Sequence, residues 1–497
     1  MKNYIIKFFI LFLLLSLTSC PIYNNVDNNN QNTNKSIDVK NTNWTIMMYL
    51  GGDNNLEYDL MRNVKQMKES YQGGCNIIVF IDRSPKYSIN STIFGNNFTG
   101  ARIYKIVKNN IKLLEDESFF YDVGDTSSDN TNSANILVLK KFIEYCKANY
   151  PANYYALFIG SHGGGARKIN YITEKEKNIV FDETSNRWLY TKEFTDKLEE
   201  KDSVDLLGID ACFMGNIEFI YQLKNNNGSF HSKYIVASPP TEWSYGWNYS
   251  GILKRITDRE SYYEGEATND ITGEQKKIYS STSLTPLDLG KILIEEQYEY
   301  TRTDTDDQIL VLYDTEKIDD LKSNFDSLFV SLKDNSSDIF NLRGFGFINQ
   351  KDTLFYFDSD STLEWLDYSY FDIYDICDKI ELSDNFSSII INKAKIVKQC
   401  LKNVILYSFS GSYFKRFKNN VNGISFFFPD GERLYLDNKM WQYQTWYSPL
   451  NDKNYGNLSF CKNNATQKNG VIENYFEVLD YWFDYENGYG GINGYEY

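Results

Sequence analysis

Histidine is nearly absent from this chain of 497 residues: there are two, His162 and His231. Any imidazole chemistry must use one of them, and a zinc centre is poorly supported. The seven cysteines are far apart and form no Cys-x-x-Cys pair, so no disulfide framework or zinc ribbon can be read from them. Positive charge is also short. Lys and Arg total 51 against 67 Asp and Glu, a net charge of −16. That argues against a nucleic-acid partner, because phosphate neutralisation needs a basic face. No EF-hand-like loop is present, so no metal ligands are assigned from the sequence. No Gly-x-Ser-x-Gly elbow occurs, which removes the usual serine hydrolase of α/β type. There is no internal repeat.

What is present begins with a processing signal. Residues 1–20, MKNYIIKFFILFLLLSLTSC, have a basic start at Lys2 and Lys7, an apolar core and a small-residue end. The core is too short for a full membrane span. Leu17-Thr18-Ser19-Cys20 resembles a bacterial lipobox, which implies cleavage before Cys20 and lipidation of its thiol. Residues 21–43 are polar and Asn-rich and cannot bury enough surface to offset their ordering entropy. The expected organisation is a signal peptide over 1–19, a lipidated cysteine and flexible tether over 20–43, and a folded body from Trp44. Such a protein sits in the bacterial cell envelope, outside the cytoplasm, held to a membrane by its lipid.

From Trp44 the chain alternates strand and helix. WTIMMYLGG, CNIIVFID, YYALFIGSHGGG, SVDLLGIDAC and KYIVASPP read as buried strands. The stretches between them, such as DNNLEYDLMRNVKQMKES and SANILVLKKFIEYCKANY, carry apolar residues at helical spacing. A hairpin is expected around STIFGNNFTGARIYKIV. Unbroken apolar strands are buried on both faces, as in a mostly parallel sheet flanked by helices. Ligands then bind beyond the carboxyl ends of the strands. Past about residue 275 the pattern is less regular, which suggests a second region packed on the first.

Two strand ends carry chemistry. His162 follows one, in FIGSHGGG, and Cys212 follows another, in LLGIDACFMGNIEFIYQL. His231 sits in a polar loop and reads as a surface residue. Cys75, Cys146, Cys377 and Cys400 read as small buried apolar groups, and Cys461 as part of an exposed polar loop. Cys212 alone is expected at a strand-to-helix switch, where a helix N-terminus favours a thiolate. With His162 as base and later acid, it would be a nucleophile. Backbone N–H groups of Gly163 and Cys212 would hold the oxyanion of a tetrahedral intermediate. Trp243 and Trp247 are read as core residues by default, with a cleft wall as the alternative.

A strand ending in His-Gly and a later one ending in Ala-Cys resembles the caspase-fold cysteine peptidases, and among them the clostripain family. WTIMMYLGGDNNLE (44–57), SHGGG (161–165) and GIDACFMGNIE (208–218) carry the resemblance, with DIYDIC (372–377) and GISFFFP (423–429) as looser matches. It implies an α/β fold: a caspase-like α/β/α sandwich with a mostly parallel central sheet over 44–275, and an additional C-terminal α+β region over 276–497 packed on that peptidase domain. It implies a cysteine endopeptidase, monomeric, acting on protein or peptide substrates with Arg or Lys. Cys212 is then the nucleophile and His162 the general base and acid, with no third catalytic residue. Asp210, two residues before the nucleophile, would line the S1 pocket and pair with a basic P1 side chain. The chemistry requires no cofactor, although some relatives need calcium. Members are often cut in a loop after the histidine strand. Here residues 166–180 offer Arg167, Lys168, Lys175 and Lys177 as self-cleavage sites. One departure is the Pro239-Pro240 pair where relatives are more acidic. The alternative reading is a catalytically silent surface-binding lipoprotein on the same fold.

Overall fold

Strands that read as unbroken apolar runs lie side by side in the computed structural model. It describes residues 42–483 apart from 89–91, 124–130, 166–177, 227, 263–267, 270, 305–307, 344–369, 412–413, 415, 429–454 and 463–470. Cys20, its tether up to residue 41, and the basic residues Arg167, Lys168, Lys175 and Lys177 lie outside the described residues.

The strands in chain order are β1 (Trp44–Gly52), β2 (Asn76–Arg83), β3 (Gly100–Val107), β4 (Asn110–Glu115), β5 (Tyr154–Gly160), β6 (Ile179–Asp182), β7 (Arg187–Leu189), β8 (Val204–Asp210) and β9 (Ser232–Ala237). They continue with β10 (Ile256–Thr257), β11 (Ser261–Tyr262), β12 (Lys277–Ser280), β13 (Ile309–Asp314), β14 (Tyr370–Asp372), β15 (Ile405–Ser410) and β16 (Ser425–Phe427). A nine-stranded sheet has the order β15-β13-β9-β8-β5-β1-β2-β3-β4. Its middle, from β9 to β2, is parallel. Antiparallel strands flank it on both sides. The expected hairpin is real but shifted along the chain. β3 and β4 meet at Lys108-Asn109, where Asn109 takes the left-handed conformation such turns require.

Side chains alternate across the strands and so build two cores. β1 sends Met47 and Tyr49 to one face, and Ile46, Met48 and Leu50 to the other. The first face is covered by α2 (Ile136–Asn149), α3 (Thr191–Lys197), α4 (Ile217–Gln222), α7 (Ile318–Leu332) and the helices Ile373–Leu382 and Ser388–Val404. The second is covered by α1 (Glu57–Ser70), α5 (Tyr249–Lys254) and α6 (Pro286–Asp304). The outcome is an α/β/α sandwich with a large, mostly parallel central sheet, in keeping with the fold class read from the sequence.

No break occurs near residue 275. β13 pairs with β9 and β15 pairs with β13, so the region 276–497 supplies two strands of the same sheet. From Asn41 onward the chain is one unit. The reason is local: ILVLYD and ILYSFS are apolar strands that need two covered faces, and β9 would otherwise be an open edge. The same region also grips α4. The Glu218 carboxylate accepts from the Phe427 N–H and the Tyr455 hydroxyl, each at 2.8 Å, and burial pushes its pKa up to about 7. Cys461, expected in an exposed loop, is buried in the short helix Ser459–Lys462.

A chain stopped at residue 275 should therefore fail to form a protease-resistant body. Limited proteolysis and circular dichroism check this; a cooperative melt of the truncated chain would show that the two added strands are dispensable.

Candidate functional site

β5 and β8 are adjacent and parallel, with Gly160 beside Asp210. The last link between them runs from the Ser161 N–H to the Asp210 carbonyl at 3.4 Å. His162 and Cys212 each stand two residues beyond that registered pair. Matched overhangs on strands about 4.8 Å apart bring the two residues to the same spot. Both line one cavity of about 300 Å³, together with Asn55, Asp210, Glu242 and Trp243.

Gly163 shows how closely the two ends approach. A Cβ there would lie 2.3 Å from the Cys212 carbonyl oxygen and 2.8 Å from its nitrogen, so only glycine fits. The bridge from Gly163 to Ile179 uses the His162 carbonyl, which accepts from the Val180 N–H at 3.1 Å. The hairpin β6–β7 therefore holds the histidine from outside. Its Phe181 and Trp188 rings lie 6.5 and 6.4 Å from the imidazole. Val180 itself has φ +55°, a costly conformation for a β-branched residue. The imidazole Nε2 lies 2.7 Å from Asn55 Oδ1. An amide oxygen only accepts, so in this contact Nε2 carries the proton.

Cys212 does not sit at a helix N-terminus. α4 begins at Ile217, capped by Asn216. A helix dipole fades within its first turn, so it does not account for the thiol's setting. Cys212 instead lies on a tight turn in which Phe213 takes φ +61°. The turn is pinned by the proline segment: Phe213 N–H donates to the Pro240 carbonyl at 2.9 Å, and Gly215 N–H to that of Ser238 at 2.8 Å. The looser sequence matches support it too. Ser425 N–H donates to the Gly215 carbonyl at 3.0 Å, and Asp372 caps the helix that follows β14. The Cys212 Sγ accepts from the Glu242 N–H at 3.2 Å. Burial pushes the other described thiols up: Cys75 to about 12, and Cys146, Cys377, Cys400 and Cys461 also upward. Raised thiols are poor nucleophiles.

Asp210 lies under the cavity. Its Oδ2 accepts from the Trp247 N–H at 3.1 Å and the Tyr249 hydroxyl at 2.8 Å. Its carboxyl is hydrogen-bonded to that of Glu242, whose own oxygens accept from the Trp247 indole at 3.2–3.3 Å. Burial raises both pKa values, and for Glu242 the Asp210 charge raises it further. Gly246, at φ +67°, leaves the room; a Cβ there would strike Asp210 Oδ2 at 2.7 Å. Trp247 is buried against Phe158, as core packing predicts, whereas Trp243 is 45% exposed and walls the cavity. His231 lies outside the cavity, half-buried, with Nδ1 3.0 Å from Ser203 Oγ.

Sequence reasoning thus named His162, Gly163, Asp210 and Cys212, and the structure brings them together. It missed Asn55 and Glu242. Asn55 lay inside the DNNLE match and Glu242 inside the Pro-Pro-Thr-Glu-Trp stretch that departs from relatives, but neither has a spacing that marks it. Also missed were Asp53, Asp82 and Asp182, the one described group of three carboxylates close enough to share a metal ion.

Residues 48–482 match the model of the clostripain family. The clostripain of Hathewaya histolytica is 37% identical over 517 residues, covering 97% of this chain and 96% of the relative. Among solved structures, an inactive zymogen C11 protease from Parabacteroides distasonis is similar with a TM-score of 0.52 at 16% identity, covering 82% of this chain and 97% of that one. A secreted C11 cysteine protease from Bacteroides thetaiotaomicron, in complex with an irreversible peptide inhibitor, gives 0.49 at 16% identity, covering 81% and 98%.

Proposed function

The chain belongs to the clostripain family and is a cysteine peptidase, and from that premise we propose that it is an endopeptidase cutting after Arg or Lys through a Cys212–His162 dyad. The observation that carries this reading is one cavity holding the thiol, the imidazole and a carboxylate pair, Asp210 and Glu242. His162 Nδ1 takes the thiol proton, and the Cys212 sulfur attacks the carbonyl carbon after the P1 residue. Backbone N–H groups of Gly163 and Cys212 stabilise the oxyanion. The imidazolium then gives its proton to the departing amine, leaving a thioester. Water, deprotonated by His162, attacks the thioester, and the carboxylic acid leaves as the thiol is restored. No cofactor takes part in these steps.

The carboxylate pair gives the P1 preference. Two buried acids in contact favour sharing a proton, and a guanidinium or ammonium supplies the missing positive charge instead. Both acids titrate above the ordinary carboxylate range. A raised acid is protonated at mildly acidic pH, so kcat/KM for Arg substrates should fall as pH drops through that raised range. Glu242→Gln should flatten this limb and lower kcat/KM about 10- to 100-fold with a smaller change in kcat, the size of one charge-assisted hydrogen bond. Arg- and Lys-terminated reporter peptides measure both. Cys212→Ala or thiol alkylation should abolish turnover. The same variant should remain uncut, whereas the active enzyme should show a new N-terminus at Lys168, Ile169, Glu176 or Asn178, after cleavage at Arg167, Lys168, Lys175 or Lys177. Intact chain in fully active enzyme would rule out self-activation.

Asn55 is a positioning residue in this scheme. Asn55→Ala frees the imidazole and should lower kcat about tenfold with KM little changed, and Asn55→Gln should recover part of it; equal kcat in wild type and Asn55→Ala would remove the role. The envelope location also belongs to this proposal. Lipid on Cys20 should hold the enzyme in the membrane fraction, and Cys20→Ser should release it.

A further inference from the structure

Glu242 touches the nucleophile and the carboxylate pocket with different parts of one residue. Its main chain brackets the sulfur: the Glu242 N–H donates to Cys212 Sγ at 3.2 Å, and the thiol donates to the Glu242 carbonyl at 3.7 Å. Its side chain meets the Asp210 carboxyl and the Trp247 indole. The segment around it is fixed on both sides. Before Glu242, the Pro240 carbonyl accepts from the Phe213 N–H at 2.9 Å and from Ser238 Oγ at 3.3 Å. After it, the Trp243 carbonyl accepts from the Gly246 N–H at 3.1 Å.

Charge around the sulfur is one-sided. Among the described residues that line the cavity, the titratable ones are His162, Asp210, Cys212 and Glu242, with no Lys or Arg. Beyond them, Glu183 faces the imidazole from the β6–β7 turn and is paired with Lys86. On α1, Arg62 is engaged by Asp59 at 3.4 Å and lies over the Tyr245 ring. A thiolate and a neighbouring carboxylate oppose each other, and the sulfur's charge is one of the causes that raise Glu242. The opposition is mutual, as between any two coupled sites. An empty, ionised pocket therefore holds the nucleophile back in its thiol form. A guanidinium against the pair offsets one of those charges, and the N–H already aimed at the sulfur stabilises the anion.

We propose that Glu242 couples the two halves of the cleft: a cation seated on its carboxylate promotes ionisation of Cys212, so a basic P1 side chain helps to arm the sulfur that attacks its own peptide. This rests on the reading of Asp210 and Glu242 as the P1 pocket. It adds a second filter, because a peptide without the charge is both held less firmly and met by a less reactive nucleophile. The coupling has a direction in pH. Where the pair still shares a proton, an arriving cation displaces that proton and the net charge of the pocket does not change. Above that range both acids are ionised, and the cation removes a full charge. The effect on the sulfur is therefore largest on the alkaline side, while the thiol still holds its proton, and fades as pH falls through the range in which the pair takes one up.

The test is alkylation of the full-length protein by iodoacetamide from about pH 6 to about pH 9, a span that covers ordinary thiol ionisation. Rates are compared without additive, with methylguanidinium, and with tetramethylammonium at equal concentration as a cation that cannot donate a hydrogen bond. The thiolate displaces iodide, an S–C bond forms and the thiol proton goes to solvent, so the rate reads the thiolate fraction. Mass spectrometry of the peptide carrying Cys212 separates it from the other cysteines. Methylguanidinium should speed modification of Cys212 roughly three- to tenfold on the alkaline side, equal to half a unit to one unit of thiol ionisation, and by less at the acidic end. Tetramethylammonium should not. Glu242→Gln keeps the N–H and removes the charge: on the alkaline side it should react faster than wild type without any cation, and lose the response to methylguanidinium. Unchanged or slower modification of wild type with methylguanidinium, equal acceleration by tetramethylammonium, or a full response in folded Glu242→Gln overturns the coupling. The wild-type comparison decides by itself if the variant does not fold. Cleavage after Arg or Lys is measured separately on reporter peptides: turnover without acceleration removes the coupling alone, and acceleration without turnover removes the cleavage reading alone.

Discussion

Neighbouring parallel strands β5 and β8 share a register in which Gly160 faces Asp210, and everything in the cleft is measured from that pair. A slip of one residue would turn every side chain of one strand to the opposite face and send His162 and Cys212 apart. Because both strands carry a core on each face, the slip would also expose apolar groups on two sides. Packing of the sandwich thus fixes the geometry of the cleft. The two overhangs are then braced from outside, the histidine by the β6–β7 hairpin and the cysteine by the Ser238–Pro240 segment. Both braces hold a residue at positive φ, Val180 on one side and Phe213 on the other. Strain is concentrated beside the reacting groups and borne by the sheet behind them.

Charge is handled in two ways. Glu57 and Asp326 are buried beside an internal cation, Arg83 at 2.8 Å in one case and Lys322 in the other. Asp210 with Glu242, and the aspartates 53, 82 and 182, face other carboxylates instead. In a chain of net charge −16, basic residues are scarce, and some of them sit beside buried structural acids such as Glu57 and Asp326.

Much of this was legible in the chain. Unbroken apolar runs named the five parallel strands, and the scarcity of histidine reduced the choice of base to one strand end. The family resemblance added Asp210. The shift of α4 away from Cys212 was not legible, because Met214, Ile217 and Ile220 continue an apolar pattern that a turn and a helix share. Cys461 looked exposed because its sequence neighbours are polar, whereas burial is decided by Phe325, Tyr475 and Glu218 from distant segments. Glu242 and Asn55 escaped for the same reason: their partners come from other strand ends. Nor could periodicity show that β13 and β15 would join the first sheet, since strand pairing over such separations leaves no local mark.

That late pairing has a consequence for how the protein comes into being. The parallel core needs long-range contacts, and its two outer strands arrive last, about a hundred residues apart from each other. Loop closure of this kind must be met before its contacts are rewarded, so assembly should be slow. While synthesis continues, β9 remains an open border until Ile309–Asp314 covers it. The strands that carry His162 and Cys212 thus belong to a sheet that is complete only once Ile405–Ser410 has joined it.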